Sequence, residues 1–420
     1  MPKRTPFHDC IAPYNETEIW KRWSGYLVPP NLQYSIDTEY YAIRNSVSLL
    51  DTSPLFKYRF CGPDAVDILS SSMVRPIHQL AIGRAQYNIW CDDYGFVVQD
   101  GVLLRLAENE FFLTAGEAAL RWFRQVARRC NLEAESVSDV TDQYGILALQ
   151  CPHAFSVISQ FDKDFALASL SYFGVAQIEI ASRQVIVSRT GYTGDLGYEI
   201  WIPSIDAATV WRAIIEAGSG YNLTPIGTTA LKMSRVEAGL LLMDVDFSSS
   251  RFMFGPSEKE TPNELGFHWM LKNLDSDDRE FIGRHAIEKE ILSGSSRWTT
   301  IGLTVDPQSY VDRFQSAGLI PEKGNVYCES THSLYRRSGQ PWDYAGYATS
   351  FLYSSLLKQP IAIGKLPSDL ATPGTQVDLE IEVARRPELV TATVSRMPFF
   401  NPNRKIQVFS KQEVKDASDV

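Results

Sequence analysis

The period of the apolar positions changes along the chain. Val377, Leu379, Ile381 and Val383 alternate with Asp378, Glu380 and Glu382, which predicts an antiparallel strand with one buried face. Strand-like runs rich in β-branched and aromatic residues recur at 56–60, 87–90, 97–106, 111–114, 146–150, 185–188 and 198–202, and again at 300–305, 333–336, 345–350 and 361–366. Residues 107–110 join two of these as a hairpin. Elsewhere the spacing is helical. Ala119, Leu120, Phe123, Val126 and Ala127 fall on one face, with Arg124, Arg128 and Arg129 on a solvated outer side. Further helices are predicted at 39–50, after Gly62-Pro63-Asp64 through Leu69, at 154–161, at 206–217 up to Gly218, and at 228–242.

Helices and strands mix in the first two thirds of the chain, whereas beyond the polar stretches at 273–279 and 293–296 the pattern is almost all strand. This predicts an α+β protein with a mixed region at 1–290, built of two intertwined subdomains, and a C-terminal antiparallel β-barrel domain at 297–408. The polar stretch from Ser410 is expected to fray.

Composition narrows the function. With 420 residues, 44% hydrophobic and 21% charged, the chain is a folded globular protein. A net charge of −10 argues against nucleic acid as a partner. The absence of a long apolar run or signal-peptide pattern predicts no membrane partner and a cytoplasmic location. The six cysteines form no C-x-x-C pair, and the six histidines show no metal-binding spacing. No metal is therefore expected, and the chemistry falls to carboxylates, arginine, aromatics or a bound cofactor. No G-x-G-x-x-G opens a helix and no phosphate-binding P-loop occurs. The glycine-rich run that is present is Arg189-Thr190-Gly191-Tyr192-Thr193-Gly194-Asp195-Leu196-Gly197-Tyr198-Glu199. Three glycines at spacing three allow a close-packed loop, and Glu199 emerges where the next strand starts.

At this run the sequence resembles the T-protein family: the aminomethyltransferases of glycine cleavage, with the tetrahydrofolate-dependent demethylases and the folate domains of dimethylglycine and sarcosine oxidases. The resemblance continues at Tyr87 to Asp100 (YNIWCDDYGFVVQD), at Ser234-Arg235-Val236-Glu237-Ala238-Gly239, and at Thr261-Pro262-Asn263-Glu264 with Phe281-Ile282-Gly283-Arg284. Gly346-Tyr347-Ala348-Thr349-Ser350, Ile361-Ala362-Ile363-Gly364 and Met397-Pro398-Phe399-Phe400 follow in the family's order, so it spans roughly 40–405. It implies a T-protein-like multi-domain folate-binding fold, with tetrahydrofolate as cofactor.

Residue by residue, Glu199 matches the family's pterin-binding glutamate, a carboxylate able to accept two parallel N–H donors. Asp100 matches the catalytic carboxylate, implied to orient or deprotonate the folate nitrogen. Tyr87 matches a position lining the folate pocket, and Arg235 an arginine of the folate site. Alternatives stand beside these: Asp100 as a strand-end cap before Gly101, Tyr87 as an ordinary strand tyrosine, and Arg235 as an interdomain salt-bridge residue.

The departures fall on the donor side. The family's paired acids become Gln99-Asp100, its Y-G-N-D becomes Met243-Asp244-Val245-Asp246, and its small polar Asn falls at Thr114-Ala115-Gly116. The family's tyrosine after the Pro-Phe pair is replaced near Asn403-Arg404. An N-terminal aromatic segment with Trp20, Trp23, Tyr26 and Tyr34 is expected to cover the site, and Pro398-Phe399-Phe400 to lie near the pocket mouth. Together these predict an enzyme, a tetrahydrofolate-dependent demethylase taking a methyl group from a small N-, S- or O-methylated compound. The alternatives are a glycine cleavage aminomethyltransferase acting on an aminomethyl-lipoyl carrier protein, and a non-catalytic folate-binding protein.

Overall fold

The computed structural model describes residues 2–162, 166–274, 279–321, 327–337 and 342–409. Most of the predicted 273–279 linker and the tail from Ser410 lie outside them. A six-stranded sheet orders Val175–Ile180, Arg183–Ser188, Gly197–Pro203, Tyr144–Gln150, Val47–Asp51 and Leu223–Pro225, with only the last pair parallel. A five-stranded antiparallel sheet orders Arg84–Cys91, Val97–Ala107, Glu110–Ala115, Phe56–Cys61 and Val137–Asp139.

Each sheet is covered by the helices whose apolar stripes match it. Trp211 and Ile214 of Ala207–Gly218 pack on Leu147, Leu149 and Ile200 of the six-stranded sheet. Ile68 and Leu69 of Ala65–Ser72, with Phe123 of Leu120–Arg129, pack on the five-stranded one. The two sheets join through Ala85, Leu104, Phe112, Ile146, Val175 and Trp201, where Phe112 and Trp201 meet edge to face at 5.7 Å.

Thr299–Val305, His332–Arg336, Tyr344–Ser354, Gln359–Leu366, Gln376–Val383 and Arg386–Ser395 form an antiparallel barrel, closed by the pairing of Tyr344–Ser354 with Gln359–Leu366. The alternating residues Val377, Leu379, Ile381 and Val383 fill its core, and closure leaves the barrel's six strands without a free edge between them. The barrel docks on helix Thr228–Glu237, where Met233 and Val236 share a cluster with Leu352, Ile361 and Ile363.

Two predicted helices end early. The one expected at 39–50 is Ile36–Asn45, and Val47–Asp51 is instead a strand buried at all five positions. Ser48 and Asp51, three residues apart, imitate the polar face of a helix, although both are buried here. The helix expected at 228–242 stops at Glu237, because Gly239 takes φ +62° and a Cβ there would come within 2.8 Å of Met397. Helices Arg284–Ser293 and Pro307–Ser316 and strand Arg386–Ser395 add to the predicted elements. Among the described residues no helix is long and apolar enough to cross a membrane.

Candidate functional site

Tyr87 and Asp100 lie on adjacent strands of the five-stranded sheet. The register pairs Tyr87 with Val102 and Ile89 with Asp100, so Tyr87 and Asp100 are diagonal neighbours, a spacing an aromatic side chain can bridge. The Tyr87 hydroxyl donates to Asp100 Oδ2 at 2.8 Å. The residue after Asp100 has to be glycine, since a Cβ at Gly101 would stand 2.0 Å from the Thr114 carbonyl oxygen. Protein surrounds Asp100, and among the described residues no cation offsets its charge. Burial raises its carboxyl to about 6, opposed by the Tyr87 hydrogen bond.

Glu199 stands on Gly197–Pro203, between Ala148 and Ser188 of the flanking strands. Its Oε2 accepts from the Thr190 hydroxyl, and burial again pushes the carboxyl upward. The glycine-rich loop that carries Thr190 is shaped by one buried amide. A Cβ at Gly191 or Gly197 would come within 2.0 or 2.2 Å of Gln150 Oε1. Gln150 Nε2 donates to the carbonyls of Thr190 and Tyr198, while its Oε1 accepts from Thr193 at 3.0 Å.

Tyr192 completes the wall. Its hydroxyl donates to the Leu241 carbonyl, and it lies within electrostatic reach of both Asp100 and Arg235. Tyr87, Asp100, Tyr192 and Glu199 share a condition: each is enclosed by protein yet keeps some open surface. Electrostatic contact joins Tyr192 to Tyr87 and to Asp100, and Glu199 stands on the strand that leaves the same glycine-rich run. None of the four lies within 300–400.

Arg235 is in a different condition. It is 0% exposed, and its guanidinium donates to Asp246, to Ser350 Oγ at 2.7 Å, to the Tyr327 hydroxyl at 3.2 Å and to the Leu240 carbonyl at 3.2 Å. It ties the helix, the following loop and the barrel together, and has no hydrogen bond to Tyr87, Asp100 or Glu199.

The departures noted in the sequence converge. A Cβ at Gly116 would come within 3.1 Å of Met243 Cε, so the 114–116 and 243–246 stretches meet each other. Burial and the nearby Asp244 raise the Glu117 carboxyl. Gln99 is 2% exposed with its carbonyl oxygen unpaired, a place where a carboxylate would be costly.

One placement differs from expectation. Trp20 meets His8 at a tilt, with ring centroids 4.2 Å apart, and packs on the core of the six-stranded sheet, and Tyr34 is exposed. Beside the departing stretches, the N-terminal segment contributes the Ser24 hydroxyl, which donates to the Gly116 carbonyl. Phe400 lies against the glycine-rich loop at Gly194, its amide on the Glu237 carbonyl at 2.9 Å and its ring 4.6 Å from the Arg44 guanidinium. Glu237 itself, held by Arg44, Tyr40 and Ser354, was not singled out, because its partners lie more than a hundred residues away.

Comparison with known proteins agrees with this layout. The GCVT N-terminal domain family matches residues 9–273, and the glycine cleavage T-protein C-terminal barrel domain family matches 315–401. The aminomethyltransferase of Pseudothermotoga lettingae is 27% identical over 408 residues, covering 96% of this chain and 99% of that protein. The aminomethyltransferase of Listeria monocytogenes serotype 4a is 33% identical over 298 residues, covering 70% of this chain and 76% of that one. The crystal structure of glycine cleavage system aminomethyltransferase T from Bartonella henselae superposes with a TM-score of 0.78 at 21% identity, covering 98% of this chain and 100% of that one, which shows a shared fold. With one family matched across most of the chain and a second across its barrel, this protein belongs to the glycine cleavage T-protein family and is an enzyme, a group transferase.

Proposed function

We propose that Tyr87, Asp100, Tyr192 and Glu199 wall a recess that takes tetrahydrofolate and that the enzyme moves a one-carbon unit onto it. The observation that carries this is the pair of carboxylates enclosed by protein, Asp100 and Glu199, each held by one hydroxyl and, among the described residues, left without a cation. The fit is specific: Glu199 Oε1 has no protein donor among the described residues, which leaves the carboxylate able to accept two parallel N–H groups of a pterin. Bound tetrahydrofolate would supply the nitrogen nucleophile that receives the one-carbon unit.

The chain's own residues do the rest. Glu199 holds the pterin, and Tyr87 lines the ring while fixing Asp100. Asp100, with a proton affinity close to neutrality, orients the folate nitrogen or accepts its proton. Arg235 acts on the site as a cation within electrostatic reach of Tyr192, keeping the 240–246 loop in place through Leu240 and Asp246.

For the donor, the names of the relatives favour the aminomethyl group of a lipoyl carrier protein over the small methylated compound expected from sequence. The methylated donor stays as a second reading because Met243 fills space against Gly116 where the family's donor-side pattern is lost. Incubation with tetrahydrofolate and either an aminomethyl-lipoyl carrier or a panel of methylated compounds separates them by product mass. Methylene product from the carrier supports the first, methyl product from a small donor selects the second, and no folate product from either rejects both.

A further inference from the structure

The segment that follows the barrel returns to the first part of the molecule. Beyond the barrel, residues 401–409 cross to the six-stranded sheet, where the Phe409 amide donates to the Ala168 carbonyl and its ring stacks on Phe155 at 3.8 Å. Two arginines tie this segment to the glycine-rich loop in opposite directions. Arg404 reaches both oxygens of Asp195 at 2.6 Å each, a fork between residues 209 apart whose carboxylate is 0% exposed. From the other end of the loop, Arg189 donates to the carbonyls of Arg404, Lys405 and Gln407, and with its second terminal nitrogen to Leu170.

What lies between these grips matters for the site. Thr190 directly follows Arg189, and its hydroxyl holds Glu199 Oε2. The Lys405 ammonium sits 5.2 Å over the ring of Tyr172, a neighbour of the Glu199 carboxylate. The same strap therefore holds both ends of the loop that sets Glu199 and backs the wall beside it.

We propose that the 401–409 segment positions Glu199, with Arg404 and Arg189 as positioning residues that act through Asp195 and Thr190. The pterin-facing geometry is thereby set by residues 401–409, and folate affinity depends on contacts that never touch the ligand. This rests on Glu199 as the pterin acceptor, so the test includes one readout that needs no folate.

Three variants decide it: Arg404→Met, Arg404→Met in a Glu199→Gln background, and Asp195→Asn with Arg404→Met, which leaves no buried charge unpaired if the single change does not fold. Tetrahydrofolate titration by calorimetry should show about tenfold weaker binding for Arg404→Met, with KM for folate rising more than kcat falls. The loss should shrink to about twofold or less in the Glu199→Gln background, because the two changes share one route. Carboxyl-carbon NMR of Glu199 should show its titration moving down toward the ordinary glutamate range as the loosened loop admits water. An equal loss in both backgrounds, or an unmoved Glu199 titration, overturns the proposal. If the wild type binds no tetrahydrofolate, the folate reading falls, and the Glu199 titration alone still decides the strap.

Discussion

Two regions hold buried carboxylates, and they treat them oppositely. At the seam between helix and barrel, Glu237 receives a two-nitrogen fork from Arg44 together with the Tyr40 and Ser354 hydroxyls. Asp246 receives Arg235, Thr349, Ser350 and the Leu242 amide. On the wall of the recess, Asp100 has the Tyr87 hydroxyl and Glu199 the Thr190 hydroxyl, and neither has a cation. The seam acids are finished within the protein. The wall acids are left with acceptor capacity that only an incoming donor can use, and that incompleteness marks the functional surface.

The largest expected effect tests the wall. Asp100→Asn should slow turnover by about 10²–10⁴-fold, the usual worth of one positioned acid–base group, in a product-formation assay. Its Tm should hold or rise, since the amide removes a buried charge that no cation offsets. Normal turnover would erase the distinction between the two regions.

At the seam the expected loss is of stability. Arg235→Met leaves Asp246 buried without its cation and should cost about 3–5 kcal/mol in a denaturant titration, a large part of which Asp246→Asn in the same chain should restore. A cost below about 1 kcal/mol would make Arg235 a binding residue first and a structural one second.

Glu199→Gln is expected to be milder. The fold should persist while tetrahydrofolate affinity, by calorimetry, drops by about 1.5–3 kcal/mol, because a donor then faces a donor.

The smallest effect is in pH. With its carboxyl raised to about 6, Asp100 becomes ionised later than an ordinary aspartate, so the rate should climb as pH rises through about 6 and then level. Asp100→Asn should flatten that limb. For stability the sign is opposite: the neutral carboxyl favours the folded state at low pH, and that advantage is gone once the pH has risen past about 6.

Tyr87, Asp100 and Glu199 were singled out in sequence by the resemblance of their motifs, and the hydrogen bonds between near neighbours are what the structure adds. Tyr87 and Asp100 are 13 residues apart in one hairpin, and Thr190 and Glu199 belong to a single run. The barrel strand 377–383 announced itself through clean alternation. Of the seam, Arg235 was legible as an interdomain salt-bridge residue, whereas Arg44 and Glu237 are separated by 193 residues and nothing local marks them as partners. Val47–Asp51 was missed for a different reason: its buried Ser48 and Asp51 fall three apart, the spacing of a helix's polar face, so burial and polarity disagree along this strand.

The Gln150 amide lying between Gly191 and Gly197 has an evolutionary consequence. The two glycines are held less by any demand for an unusual backbone than by an occupant, so enlarging either one alone forces a collision with a side chain anchored on three sides. Shortening Gln150 would open room for both, yet it would strip the loop of the bonds that shape it. The three positions thus form one unit of inheritance, able to drift together but not singly.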